Sequence, residues 1–427
     1  MFVKNFNKLK TMTHNKKIEL LAPAGNFEKL EIAIHFGADA VYLAGKSHSL
    51  RNFAGNFTPA EMAKGIHTAH ASGVRVYVAV NAFPRPQEMP YIRAYLEELK
   101  NLRPDALIIA DPGIIMLANR VMPEIPIHLS TQANTTNQWS ARFWESFGVT
   151  RINVARELTM EDIQIISVST ELEIEAFVHG AMCISYSGRC LLSSFMAKRD
   201  SNRGQCAHPC RWKYSVVEEL RPGQYMPIME DESGAYIFNS KDLCMIDHLP
   251  EMIGAGINSL KIEGRLKGLN YLAAAVKCYR AAIDAYYQSP ADYRVKPEWT
   301  RALARISPRG YCTGFYLNDP DAVLADYENT APNDTCRFVG KVIRRLDAFS
   351  IEIAVRNKIQ AGDVIDSLKA HGNGAVNKIQ EIRTSDGILI DTAQSGMQVL
   401  IRLAHSDHFM PNDIIRILET TDKPDFQ

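Results

Sequence analysis

The sequence predicts an α/β fold, a (β/α)8 TIM-like barrel followed by a small C-terminal antiparallel β-barrel. Three observations carry this expectation. Short β-rich runs alternate with helical stretches from Glu19 to about Tyr287. The runs are nearly continuous in apolar residues, as strands covered by helices on both faces require. After about residue 290 the helical periodicity stops, and short alternating strands punctuated by Gly, Asp and Asn take over.

The first part supplies nine strand candidates: Glu19–Pro23, Ala40–Leu43, Val74–Val80, Ala106–Ala110, Ile127–Ser130, Arg151–Ala155, Leu172–Val178, Tyr236–Asn239 and Ser259–Ile262. Helices are expected between them, among them Asn26–Phe36, Pro59–Ser72, Glu88–Asn101, Thr136–Phe147 and Thr159–Ser167. Eight or nine such units suit a closed parallel barrel better than an open doubly wound sheet. The open sheet would bring a glycine-rich first turn, and Ala22-Pro23-Ala24-Gly25-Asn26 is no dinucleotide fingerprint. Ala40–Ser47 approaches a phosphate-binding loop, but its first glycine is missing and its middle is an apolar strand, so Lys46 reads as an ordinary strand-end residue. The expected organisation is a basic tail over 1–17, the TIM-like barrel over 18–290 with a cysteine-rich insertion at 183–244, an irregular linker over 291–336, and a β-barrel of six short strands over 337–420.

Composition narrows the function classes. Lys plus Arg (48) equals Asp plus Glu (48), so no overall positive field draws the chain onto nucleic acid, although local patches remain open. At 46% hydrophobic and 22% charged the chain is an ordinary globular protein rather than a disordered or fibrous one. No apolar run is long enough to span a bilayer. The first residues carry Lys4, Lys8, Lys10, Lys16 and Lys17 without an apolar core, so they are no secretory signal, and a cytoplasmic location is expected. They read as a frayed tail, with an RNA-touching arm as the sharper alternative.

Five of the eight cysteines fall between Cys183 and Cys244, where even spreading would place about one. A disulfide framework belongs to small secreted domains, so metal ligation explains the cluster better. Cys278 sits in the helical run Tyr271–Tyr287 and reads as a small apolar packer. A [4Fe-4S] centre takes four thiolates, and Cys183, Cys190, Cys206, Cys210 and Cys244 make five candidates. Four thiolates also make a closed zinc site, so zinc competes. The long span between first and last candidate, unlike a ribbon of paired CxxC motifs, favours iron–sulfur.

Polar residues at seven expected strand ends point to a charged cavity at the barrel mouth: Asn81, Asp111, Ser130-Thr131-Gln132, Arg156-Glu157, His179, Asn239-Ser240-Lys241-Asp242 and Lys261, Glu263, Arg265. Each one alone reads as a helix cap or turn residue. Around the cysteines, Lys198, Arg199, Arg203, Arg211, Trp212, Lys213 and Tyr214 interleave charge with rings. Such a set holds phosphates and stacks a splayed base, or it is a solvated loop with buried aromatics. No HExxH or GxSxG string supports a metallopeptidase or serine hydrolase.

The stretch from Glu175 through His179-Gly180-Ala181-Met182-Cys183 to Gly188-Arg189-Cys190 and Ser193 resembles the signature of peptidase family U32. Leu21–Gly25, Leu50–Gly55, His128–Gln132, Phe238–Cys244 and Lys261–Arg265 extend the resemblance from about residue 18 to the C-terminal barrel. The likeness is especially to the family's bacterial tRNA hydroxylation proteins, which help convert a wobble uridine to 5-hydroxyuridine. It implies a [4Fe-4S] cluster, prephenate as co-substrate, tRNA as partner and a need for iron–sulfur assembly machinery. In relatives the fourth ligand matches Cys244 or Cys210, which favours Cys183, Cys190, Cys206 and Cys244. Under this reading Arg51, Arg156, Lys261 and Arg265 are candidate partners of the small carboxylate, since guanidinium grips carboxylate bidentately. His179 and Glu263 are candidate proton carriers, and Lys198, Arg199, Arg203, Arg211 and Trp212 candidate RNA contacts. The family name suggests a collagenase-like peptidase as the alternative. Hydroxylation of an rRNA cytidine or a ubiquinone precursor is another.

Overall fold

The computed structural model describes residues 17–46, 56–182, 193, 216–217, 225–226, 229–231, 234–236, 241–307, 310–317, 336–372, 374 and 376–418. Seven strands pair in parallel in chain order: β1 (Glu19–Pro23), β2 (Ala40–Leu43), β3 (Arg75–Val80), β4 (Ala106–Ile109), β5 (Ile127–Leu129), β6 (Val149–Asn153) and β7 (Glu173–Ala181). A short strand, β8 (Asp242–Cys244), precedes β9 (Ser259–Ile262), which bonds in parallel to both β7 and β1. The ring of β1–β7 and β9 is therefore a closed eight-stranded parallel barrel, as expected.

Helices α1 (Phe27–His35), α2 (Pro59–Ala71), α3 (Met89–Leu102), α4 (Pro112–Val121), α5 (Gln138–Ser146) and α6 (Met160–Ser169) join the first seven strands. Their starts are written in the sequence: Asn26, Thr58, Asp111, Asn137 and Thr159 each accept a backbone N–H of the first turn. Such a cap is worth about 1 kcal/mol. Asp111 is thus a helix cap at its strand end. Helix α7 (Leu249–Gly254) precedes β9, and α8 (Leu269–Gln288) follows it. None of the helices among the described residues is long and apolar enough to cross a membrane.

Outward side chains such as Leu20, Val41, Val78 and Ile109 pack under the helices, while Leu21, Tyr42, Tyr77 and Ile108 fill the barrel. The interior is unusual in also holding ions. Arg151 bonds Glu19 (2.5 Å) and Glu173 (2.5 Å) and lies 3.6 Å from Glu175, which in turn accepts from Lys261 (2.8 Å). Tyr77 and Ser259 donate to the two Glu19 oxygens, each at 2.7 Å. Burial by itself would raise the Glu19 carboxyl, but Arg151 and Arg75 beside it hold it below its usual range.

Two expectations are corrected. Of the candidate Tyr236–Asn239 only Tyr236 is described, and it pairs antiparallel with Met229 in a hairpin rather than with a barrel strand; residues 237–240 lie outside the described ones. The sheet position belongs to β8, which runs antiparallel to β7. The chain leaves β7 at its top and returns along the same edge, so the returning strand must run downward. The segment expected as irregular linker also carries structure. Pro297 starts helix α9 (Pro297–Ala304), whose Trp299 and Leu303, one turn apart, are buried, and β10 (Tyr311–Cys312) pairs with β8.

The C-terminal strands are β11 (Cys336–Arg345), β12 (Ser350–Val355), β13 (Val364–Leu368), β14 (Val376–Thr384), β15 (Gln398–Leu403) and β16 (Ile414–Leu418). They close antiparallel in the order β13-β16-β11-β12-β15-β14 and back to β13. Alternate residues such as Ile351, Ile353, Ile379, Val399 and Ile401 form a separate core. This barrel is docked on the first: His35 Nε2 lies 2.9 Å from Asp413 Oδ1, Arg356 bonds Glu28 at 2.6 Å, and Leu368 and Ile414 join the large core.

Candidate active site at the barrel mouth

Strand β9 and the segment that follows it deliver three of the predicted residues, at different heights. A strand rises about 3.3 Å per residue, so Lys261 stands a layer below Glu263. Its ammonium donates to Glu175 and lies 4.5 Å from the Tyr42 ring centroid and 5.6 Å from that of Phe177. It is thereby part of the barrel's interior ion ladder. Arg265 donates to Asn56, and its carbonyl accepts from Lys29 at 2.8 Å. That carbonyl also explains Gly25, since a Cβ there would come within 2.5 Å of it.

Arg156 and Glu263 meet at the mouth, with Nη2 3.5 Å from Oε2 and both residues buried. The Arg156 guanidinium lies 3.9 Å from the Phe177 ring centroid, and Nη1 donates to Ala181 O at 3.0 Å. Its Nε is buried without a hydrogen-bond partner among the described residues. Held by stacking on Phe177, by the Ala181 carbonyl and by Glu263, this guanidinium still has its Nε donor without a partner among the described residues. A carboxylate ligand would use it.

His179 is wholly buried, with the rings of Tyr311, Tyr271 and Tyr279 at centroid distances of 5.2, 5.6 and 5.6 Å. Its Nε2 is 3.5 Å from the Tyr311 hydroxyl, which donates to Leu303 O, and Nδ1 has no partner among the described residues. Burial pushes the imidazole down to about 4, against the pull of Asp242. The ring is neutral at physiological pH. Gly180 follows with φ +111°, and a Cβ there would stand 2.5 Å from Glu263 O and 2.9 Å from the Tyr271 hydroxyl. The His-Gly pair is thus a tight junction between β7 and the loop after β9.

Cys244 is paired in register with His179 across β8 and β7. Its Sγ is 3.7 Å from the Tyr279 hydroxyl, which donates to Val178 O and accepts from the Met245 N–H. Burial pushes this thiol up to about 11. In sequence Cys183 follows the end of β7 by two residues, whereas Cys244 lies opposite His179, two residues before that end. The described residues contain no cluster of three or more potential ligands; Cys183, Cys190, Cys206 and Cys210 lie outside them. So do Arg51, Lys198, Arg199, Arg203, Arg211 and Trp212. Cys312, isolated in sequence, lies on β10 with its Cα paired to Leu243, and its Sγ is 3.8 Å from Lys241 O. The tyrosine box was not legible in sequence, because Tyr311 reaches His179 from 132 residues away.

The model of "Peptidase family U32" matches residues 25–326, and that of "Peptidase family U32 C-terminal domain" matches residues 334–416. A Bacillus subtilis relative named tRNA hydroxylation protein P1 is 36% identical over 416 residues, covering 96% of this chain and 98% of its own. An Escherichia coli relative named tRNA hydroxylation protein P is 38% identical over 399 residues, covering 84% and 87%. A Porphyromonas gingivalis relative named collagenase is 31% identical over 383 residues, covering 86% and 90%. The chain belongs to peptidase family U32.

Proposed function

We propose that this protein acts in tRNA hydroxylation, forming 5-hydroxyuridine at the wobble position in a prephenate-dependent, oxygen-independent reaction. The observation that supports the reading is the buried Arg156–Glu263 pair at the barrel mouth, where the Arg156 Nε has no partner among the described residues and suits a carboxylate co-substrate. The names of the Bacillus subtilis and Escherichia coli relatives support the same substrate class. Cys183, Cys190, Cys206 and Cys244 would hold a [4Fe-4S] cluster, with Cys210 as the alternative fourth ligand and zinc as the competing metal. When bound, such a cluster supplies electron-transfer chemistry.

The chain's own residues bind and orient. Arg156 is the favoured partner for the co-substrate carboxylate, because its Nε is uncommitted among the described residues and its plane is fixed on Phe177. Lys261, locked on Glu175, keeps the mouth's floor rigid rather than gripping a ligand. Glu263, beside Arg156, is the group placed to accept or return a proton at the mouth. His179, buried and neutral, orients the β7 end through its tyrosines.

Mass spectrometry of tRNA digests from a deletion strain grown without oxygen tests the proposal, since those conditions silence any oxygen-dependent route to the same nucleoside. Loss of 5-hydroxyuridine is expected, and unchanged nucleoside content overturns it. A peptidase, suggested by the family name and the collagenase relative, would instead show as peptide cleavage by metal-free protein.

A further inference from the structure

We propose that a basic arc running from the barrel mouth onto the C-terminal barrel carries the phosphate backbone of the RNA; the inference rests on the RNA reading above. Helices α1 and α2 follow barrel strands, so their N-terminal turns open on the mouth side. Lys64 of α2 is exposed, its Nζ 4.4 Å from the centroid of the Phe27 ring at the start of α1. The next residue, Glu28, is claimed from the other barrel: Arg356 bonds it at 2.6 Å and Lys341 lies 3.4 Å from the same oxygen. Lys341 is also 3.5 Å from Glu31. These pairs fix the chain after β12 against the lip of the mouth and quench the acids there.

Beyond Arg356 the surface stays positive. Asn357 and Lys358 are exposed, and Arg337 lies alongside, donating to Lys358 O at 3.1 Å. On the mouth side the arc continues through Lys29, bonded to the carbonyl of Arg265. Neither Lys64 nor Lys358 has a carboxylate partner among the described residues. The arc offers one aromatic ring, Phe27, and that ring is covered by an ammonium. A protein interface needs an apolar centre; a row of solvated cations without one fits a polyanion.

The test uses full-length Lys64→Glu/Lys358→Glu protein and unmodified tRNA, with binding followed by anisotropy across a salt series. Lys100→Glu, near the C-terminal end of α3 and hence on the opposite face of the barrel, is the charge-reversal control. The double variant is expected to bind about tenfold or more weakly at low salt, with a slope of log K against log salt shallower by about 1.5–2. The control should follow the wild type. Superimposable curves for double variant and wild type, or equal weakening by Lys100→Glu, overturn the arc and leave the proposed function standing. Wild-type protein with no salt-dependent tRNA binding removes the RNA reading and the arc together.

Discussion

The guanidinium of Arg151 on the sixth strand reaches the Glu19 carboxylate on the first, Nη1 to Oε1 2.5 Å, with both side chains almost wholly buried. The two strands are not neighbours in the sheet, so the contact crosses the barrel lumen. Removing Arg151 leaves Glu19 to Arg75 and Glu175 to Lys261, with no cation between the two buried carboxylates. Arg151→Met is expected to cost about 3–5 kcal/mol of stability, the usual result of breaking one side of a buried pair. Urea unfolding measures it, and a loss under about 1 kcal/mol would mean that the carboxylates find other partners.

The same carboxylate gives the molecule an acid limb. Glu19 titrates below its unfolded value of 4.5 in the folded protein. A depressed carboxyl contributes stability that is full above the unfolded value and is lost as pH falls through the folded one. Glu19→Gln should therefore be clearly less stable than wild type at pH 7, and the gap should narrow as pH falls below 4.5. Unfolding midpoints at several pH values decide this; a constant gap contradicts it.

Arg156→Lys keeps the charge and loses the planar fork. We expect the apparent affinity for the carboxylate co-substrate to fall about tenfold to a hundredfold, in keeping with the loss of charged hydrogen bonds. Circular dichroism should be unchanged. Wild-type saturation behaviour in the variant would remove Arg156 from the binding site.

Iron analysis of anaerobically purified variants separates the two thiols flanking Leu243. Cys244→Ala should lose most of its iron and visible absorbance, while Cys312→Ala keeps both. The reverse pattern would move the fourth ligand to β10.

Gly180→Ala introduces a Cβ at a positive φ and into the Glu263 carbonyl. A cost of about 2–4 kcal/mol is expected from strain and overlap combined. A melting temperature equal to wild type would show that the mouth relaxes freely.

Much of the fold was legible because the relevant signals are local. Glu19–Pro23, Ala40–Leu43 and Ser259–Ile262 were bounded correctly from apolar runs alone, and Pro59 was the expected first residue of α2. Tyr236–Asn239 misled because an apolar tetrapeptide suits a hairpin as well as a barrel, and only its distant partner decides. The site was legible as a list of residues and not as a geometry. Lys261 lies inside its strand and Glu263 just past the strand's end, which gives one to the ion ladder and the other to the mouth. Sequence spacing also gave no hint that Cys312 lies next to Leu243.

The excursion that carries the cysteines departs from β7 and comes home against β7, with Asp242 bonded opposite Ala181. Its two ends are stitched by main-chain hydrogen bonds before any metal arrives. Closing so long a loop is entropically costly, and here the scaffold meets that cost. If the proposed cluster is held there, the barrel should accordingly fold and persist before it is loaded and survive its removal.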